Sequence, residues 1–224
     1  SIMSDLIRMN DPELEDLCKF VVRNDPKRSS NAIRCLEYLQ DNQPDDFESF
    51  LKEVLLNETG DYLRQDIVGF LFERFSYPKN FKFLQDYVRT QNYQELNEVI
   101  YRDSIWAFPK LLKTRKRQLD ETFTAKNYID SLASFNRQCY ELGWVPVKEI
   151  FDDFNSRILT IKTELENDDE DAASITLANF INKVKEVRDS GGMTYEAYHF
   201  LYWYPKFIFL RKLLDEPGVL SVPR

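Results

Sequence analysis

Histidine and glycine are scarce in this chain of 224 residues, which contains one histidine and six glycines. With His199 as the single imidazole, a Ser-His-Asp triad or a histidine-rich zinc site has little to draw on. So few glycines also argue against a turn-rich all-β protein and against glycine-rich phosphate-binding loops. We therefore expect no catalytic residues, no metal and no cofactor.

Cysteine and long apolar runs are also scarce. The three cysteines, Cys18, Cys35 and Cys139, show no C-x-x-C spacing and so indicate neither a disulfide framework nor a zinc site. No window of 18 uncharged apolar residues predicts a membrane span, and the first residues do not follow a signal-peptide pattern. We expect a protein of a reducing intracellular compartment, the cytoplasm or the nucleus, with no membrane attachment.

An excess of basic residues, the usual mark of a nucleic-acid-binding protein, is missing. The chain has 30 basic and 38 acidic residues, a net charge of -8, which argues against phosphate neutralisation as its function. An acidic protein suits a basic protein partner instead. The run Lys113–Arg117, with four positive charges in five residues, leaves a nucleic-acid-associated protein as one alternative.

Helix signals are abundant. Asp11-Pro12, Asp25-Pro26 and Pro44 are typical helix starts, and apolar residues such as Leu14, Leu17, Cys18 and Val21 follow at helical spacing. The helices occur in pairs, because Pro12, Pro44 and Pro78 are spaced by 32 and 34 residues. A regular period of this length with two helices per unit is typical of an α-solenoid.

Two of these helices resemble the second helix of a HEAT repeat, which often reads Asp-Pro-x-Val-Arg-x-x-Ala-x-x-x-Leu. Asp25-Pro26-Lys27-Arg28 with Ala32 and Leu36 resembles this pattern, and Leu63-Arg64 with Ile67 and Leu71 is similar to its latter part. The resemblance covers about residues 11–107 and implies stacked antiparallel hairpins that bind proteins. An irregular helical bundle is the alternative explanation of the spacing.

The C-terminal half contains longer helical patterns and an aromatic segment. Apolar residues from Val147 to Leu165 keep one helical stripe, and Gly143 is predicted to end the helix before it. Eight of the fifteen residues from Tyr195 to Phe209 are aromatic, so this helix is either enclosed or presents an adhesive face that would allow a homodimer. Pro205 inside it predicts a kink or a break.

The sequence therefore predicts an all-α protein. Stacked antiparallel helical hairpins, α-solenoid-like, occupy residues 1–112, and a helical bundle-like part occupies residues 113–224, packed on the first as one continuous unit. The predicted function is non-catalytic protein binding, as a scaffold, an adaptor or an immunity-type inhibitor. A helical enzyme with a carboxylate-lined cavity is the main alternative. The predicted partner-binding residues are acidic or aromatic and lie off the core stripes: Glu37, Tyr38, Asp41, Asp66, Glu73, Tyr101, Asp103 and Trp203.

Overall fold

A computed structural model describes the chain over residues 13–24, 30–42, 44–57, 67–71, 77–91 and 125–206. Within these ranges the regular structure is helical and no strand forms, which confirms the all-α prediction. The chain divides into two compact units, Ser1–Ser76 and Tyr77–Arg224. The predicted boundary after residue 112 lies outside the described residues, and stacking of the hairpins into a solenoid stays a prediction.

The first unit contains helices α1 (Leu14–Asn24), α2 (Ser30–Asn42) and α3 (Phe47–Leu56), together with helical residues 67–71. Helix α1 packs along α2 and also contacts α3. Each helix carries apolar residues three or four positions apart, so one face of each is removed from water. The buried set is Leu14, Cys18, Val22, Ala32, Cys35, Leu36, Leu39, Phe47, Phe50, Leu51, Val54, Leu55, Ile67, Val68 and Leu71.

The buried face of α1 differs from the predicted stripe. Leu17 is 37% exposed, Val21 is half-buried, and Val22 is buried instead. The helix is rotated because Lys19 turns inward, where its Nζ lies 2.7 Å from Glu15 Oε1 and 2.7 Å from Asp46 Oδ1. Burial alone would lower the pKa of Lys19, but these two hydrogen bonds hold it above its ordinary value. The ammonium group thus joins α1 to the residue just before α3.

A second polar contact and a thiol pair also join the helices of this unit. The Arg23 guanidinium donates two hydrogen bonds to the Glu53 carboxylate, at 2.8 and 2.9 Å, and lies 5.0 Å from the centre of the Phe50 ring. Between α1 and α2, the buried thiols of Cys18 and Cys35 are hydrogen-bonded to each other, which lowers the pKa of Cys18 and raises that of Cys35. The Lys19 and Arg23 contacts therefore join α1 to α3 and its N-cap, and the thiol pair joins α1 to α2.

The second unit contains helices α4 (Pro78–Gln91), α5 (Ala125–Glu141), α6 (Lys148–Glu166) and α7 (Glu170–Asp189), then the short helix α8 (Tyr195–Tyr198), which continues as a π-helix over His199–Trp203. Helix α6 packs against both α5 and α7. The π-helix contacts α7 and α5, so it closes a four-sided helical bundle, and α4 lies against α5. The interior of the bundle is aromatic and aliphatic.

The helix ends of this unit follow local chemistry. Asp169 and Thr194 cap α7 and α8, where their side chains accept hydrogen bonds from the amides of Ala172 and Ala197. Gly143 follows the end of α5 with a φ of 71°, a left-handed conformation that favours glycine, so its predicted role as a helix stop is confirmed.

Two glycines test the packing of the two units. A Cβ added at Gly192 would lie 2.8 Å from Val187 Cγ1 and 2.9 Å from Ile150 Cδ1, whereas a Cβ at Gly69 would meet nothing within 4 Å. We expect Gly192→Ala to lower the free energy of unfolding by about 1–3 kcal/mol through overpacking. Gly69→Ala, in a helical segment, should raise it by about 0.5–1 kcal/mol. Urea unfolding of both variants measures this, and equal effects would contradict the packing described.

Candidate protein-binding surfaces

The structure places only part of the predicted binding set. Glu37, Tyr38 and Asp41 lie together on the last three turns of α2, and Trp203 lies in the π-helix of the second unit. Outside the described residues lie Asp66, Glu73, Tyr101, Asp103 and the basic run Lys113–Arg117. The concave surface that those positions were predicted to form therefore stays a prediction.

Glu37 and Asp41 occupy an electrostatically unfavourable position. Both side chains are exposed, one helical turn apart, and the last turn of α2 carries no basic residue. The C-terminus of a helix bears a partial negative charge, so carboxylates there reduce the stability of the helix. Within the described part of the chain neither carboxylate forms an ion pair.

Tyr38 connects these carboxylates to the beginning of α1. Its side chain is half-buried; burial raises its pKa, and the nearby side chains of Cys18 and Glu15 raise it further. Glu15 and Asp16 form the first turn of α1, so the start of α1 and the end of α2 meet at one end of the hairpin. We call Glu15, Asp16, Glu37 and Asp41 the acidic hairpin end.

Asp16 was missed by sequence reasoning because an acidic residue in the first turn of a helix is favourable and needs no further explanation. Only the pairing of α1 with α2 brings the first turn of α1, which contains Asp16, to the same end of the hairpin as the last turn of α2. Lys19 pairs with Glu15 of this set, whereas Arg23 and Lys52 pair with carboxylates outside it, and Asp16, Glu37 and Asp41 form no ion pair within the described residues. The acidic hairpin end can therefore attract cationic groups from outside.

The aromatic segment is buried on one side over its described part, whereas Tyr195 is 46% exposed and Tyr202 and Trp203 are half-buried. Phe200 is buried and its ring centre lies 6.0 Å from Phe81, 5.6 Å from Phe135 and 6.3 Å from Trp144. Tyr198, Leu201 and Tyr204 are buried beside it. The segment thus forms a wall of the bundle through its buried rings, and a homodimer through its exposed side stays a prediction.

Pro205 does not break the helix before the end of the described residues. The backbone stays helical through Lys206, and the preceding residues His199–Trp203 form a π-helix. Proline cannot donate a hydrogen bond, and its ring clashes with the carbonyl of the preceding turn. The π-helical turn before Pro205 widens the backbone locally, and no break occurs up to Lys206, while a kink at Pro205 stays a prediction.

Trp203 is already engaged within the second unit. Trp203 is half-buried, and its ring centre lies 5.0 Å from that of Tyr202. Lys206 Nζ lies 5.5 Å from the centre of the Trp203 ring. Lys206 also donates a 3.0 Å hydrogen bond to the hydroxyl of Tyr202. One aromatic face of Trp203 is therefore covered by a cation of its own chain.

The described residues show neither a membrane-spanning helix nor a metal-binding cluster. Within the ranges described, none of the helices combines the length and the apolar character needed to cross a bilayer. The described side chains also contain no group of three or more histidine, cysteine, aspartate or glutamate residues arranged to hold a metal ion. Comparison of the chain with models of protein families, with curated proteins and with solved structures finds no match. Function is therefore inferred from the surfaces of the molecule itself.

His199 is a buried core residue with 6% of its surface exposed, and burial lowers its pKa to about 4. The unfolded chain has a histidine pKa of about 6.5 and so binds more protons between these two values. Burial of the neutral His199 therefore adds to the free energy of unfolding above about pH 6.5. This contribution falls by at most about 3 kcal/mol as the pH drops to about 4.

We expect His199→Gln to remove this pH dependence. Urea unfolding of both proteins between pH 7 and pH 4.5 measures it: the stability advantage of the wild type over the variant should shrink steadily below about pH 6.5. A difference between the two proteins that stays constant with pH would mean that His199 is not shielded from protons.

Proposed function

We propose that this protein is a non-catalytic protein-binding module that docks a basic surface of a partner protein onto the acidic hairpin end. Its role would be that of a scaffold, an adaptor or an immunity-type inhibitor. The observation that carries the proposal is the exposed pair Glu37 and Asp41 on α2, of which Asp41 lies in the last turn, where no basic residue balances it.

The unfavourable charge of Asp41 at the helix end supports a binding role for this surface. Each carboxylate near a helix C-terminus costs about 0.3–1 kcal/mol of stability, so the fold itself gains nothing from Asp41 at this position. A lysine or arginine of a partner would remove the repulsion and form charge-assisted hydrogen bonds. The same charges would steer a basic partner during its approach.

Geometry supports it as well. Residues four positions apart on a helix have Cβ atoms about 5–6 Å apart, so Glu37 and Asp41 can hold one cationic group between them. They stand on a helix whose other face is packed against α1, so little conformational entropy is lost on binding. Tyr38 adds a half-buried ring beside them.

HEAT-like stacking is part of the same proposal, because further hairpins would extend the acidic hairpin end into a longer surface. We also infer a reducing intracellular compartment. The cysteines Cys18, Cys35 and Cys139 are buried free thiols, the form that such a compartment maintains.

Reversing the charge of Asp41 should change the stability of the protein and its affinity for the partner in opposite directions. Asp41→Lys should raise the free energy of unfolding by about 0.3–1 kcal/mol, since the helix end gains a favourable charge. The same change should weaken binding of the basic partner about tenfold or more, because like charges then meet at the interface. Pull-down at low salt with mass spectrometry identifies the partner, and titration of the purified pair gives the affinity.

Glu166→Lys is the matched control. Glu166 is exposed in the last turn of α6 but lies one turn after Lys162, which attracts it, so the stability gain should be smaller than for Asp41→Lys while the affinity stays unchanged. The proposal is wrong if Asp41→Lys binds the partner as tightly as the wild type. Recovery of no protein partner at low salt would also contradict it.

A further inference from the structure

A groove of about 350 Å³ lies between α5 and α6 in the second unit. Its volume is at the lower end of the range of about 300–1,000 Å³ that is typical of ligand pockets in proteins. It is separate from the acidic hairpin end, which belongs to the first unit. The groove and the acidic hairpin end are therefore separate candidate binding sites.

The middle of the groove is apolar. Ile158 is buried at its base, and Leu159 borders it with 60% of its surface exposed. An aliphatic side chain left in water beside a concave surface gains from contact with an apolar group of a ligand. The groove can therefore take up an aliphatic side chain.

An ion pair lines one end of the groove, where Lys162 Nζ lies 2.6 Å from Asp130 Oδ1. Helices α5 and α6 run antiparallel, so Arg137 lies level with Asn155 at the opposite end, seven residues or about 10 Å along α5. The two ends differ in charge, because the lysine is neutralised by its aspartate while the arginine is not.

Arg137 is an exposed guanidinium for which the described residues supply no carboxylate. The acidic residues around it already hold cations: Glu141 pairs with Lys79 at 2.6 Å, and Asp153 pairs with Arg157 at 3.0 Å. Asn155 adds an uncommitted side-chain amide on the other wall of the groove. A guanidinium binds a carboxylate through two parallel hydrogen bonds, which makes a carboxylate its best complement.

We propose that this groove binds the C-terminal end of a partner protein whose last residue is aliphatic. The terminal carboxylate is bound by Arg137 and Asn155, and the last side chain packs on Ile158 and Leu159. A C-terminal residue carries its carboxylate and its aliphatic side chain on the same Cα atom, which suits a groove about 10 Å long with a guanidinium at one end and apolar side chains in its middle. An internal acidic residue would have to bring its apolar neighbour and the continuing chain into the same short space.

The test uses the full-length ¹⁵N-labelled protein and the peptide N-acetyl-Gly-Ser-Gly-Leu with a free carboxylate. NMR titration should give saturable shifts of the Arg137 Nε–H and the Asn155 side-chain amide. The same peptide with an amidated C-terminus should bind at least about tenfold more weakly, because the charge-assisted hydrogen bonds are lost. A peptide that ends in glycine instead of leucine should also bind more weakly.

Two variants of Arg137 and one control variant test the role of the guanidinium. Arg137→Gln should weaken binding of the peptide acid at least about tenfold, and Arg137→Lys should be intermediate, because lysine keeps the charge without the fork of two donors. Lys185→Gln, which removes an equally exposed charge from α7, should leave the affinity unchanged. Unchanged backbone spectra of each variant show that it is folded.

Several results would overturn the proposal. Equal binding of the acid and the amide would exclude recognition of the carboxylate. Binding of inorganic phosphate at Arg137 as tight as that of the peptide, with no contribution from leucine, would reduce the groove to a general anion site. No saturable shift at millimolar peptide would exclude the groove as a site for C-terminal segments.

Discussion

The second unit depends on the burial of Phe200 between three aromatic rings. Phe81, Phe135 and Trp144 come from α4, from α5 and from the turn after α5, and all three lie within 6.3 Å of the Phe200 ring. This packing holds the π-helix against α5 and α7 and so closes the bundle. It also removes His199 from water and leaves the opposite edge of α5, with its groove, to the solvent.

The first unit is organised around a different constraint, a buried ammonium group. Lys19 turns inward to reach Asp46, and α1 rotates so that Val22 rather than Val21 enters the core. One consequence is that Glu15 pairs with the lysine while Asp16, in the same turn of α1, is exposed to water. The acidic hairpin end is thus a product of helix pairing as well as of composition.

Helices and their caps could be read largely from the sequence. Phe47, Phe50, Leu51, Val54 and Leu55 stand at helical spacing in the sequence and all five are buried, whereas in α1 the inward turn of Lys19 changes which face is buried. The Arg137 groove had no such signal. Its lining comes from two helices whose relative register places Arg137 opposite Asn155, and that register depends on core packing between α5 and α6.

The sequence by itself determined that the protein is helical and acidic and contains a single histidine, since these follow from periodicity and composition. It also located the aromatic segment. Only the tertiary structure decided what that segment packs against, that a π-helix precedes Pro205, and which charges remain without partners on the surface. Those outcomes depend on contacts between residues far apart in the chain, which local sequence patterns do not encode.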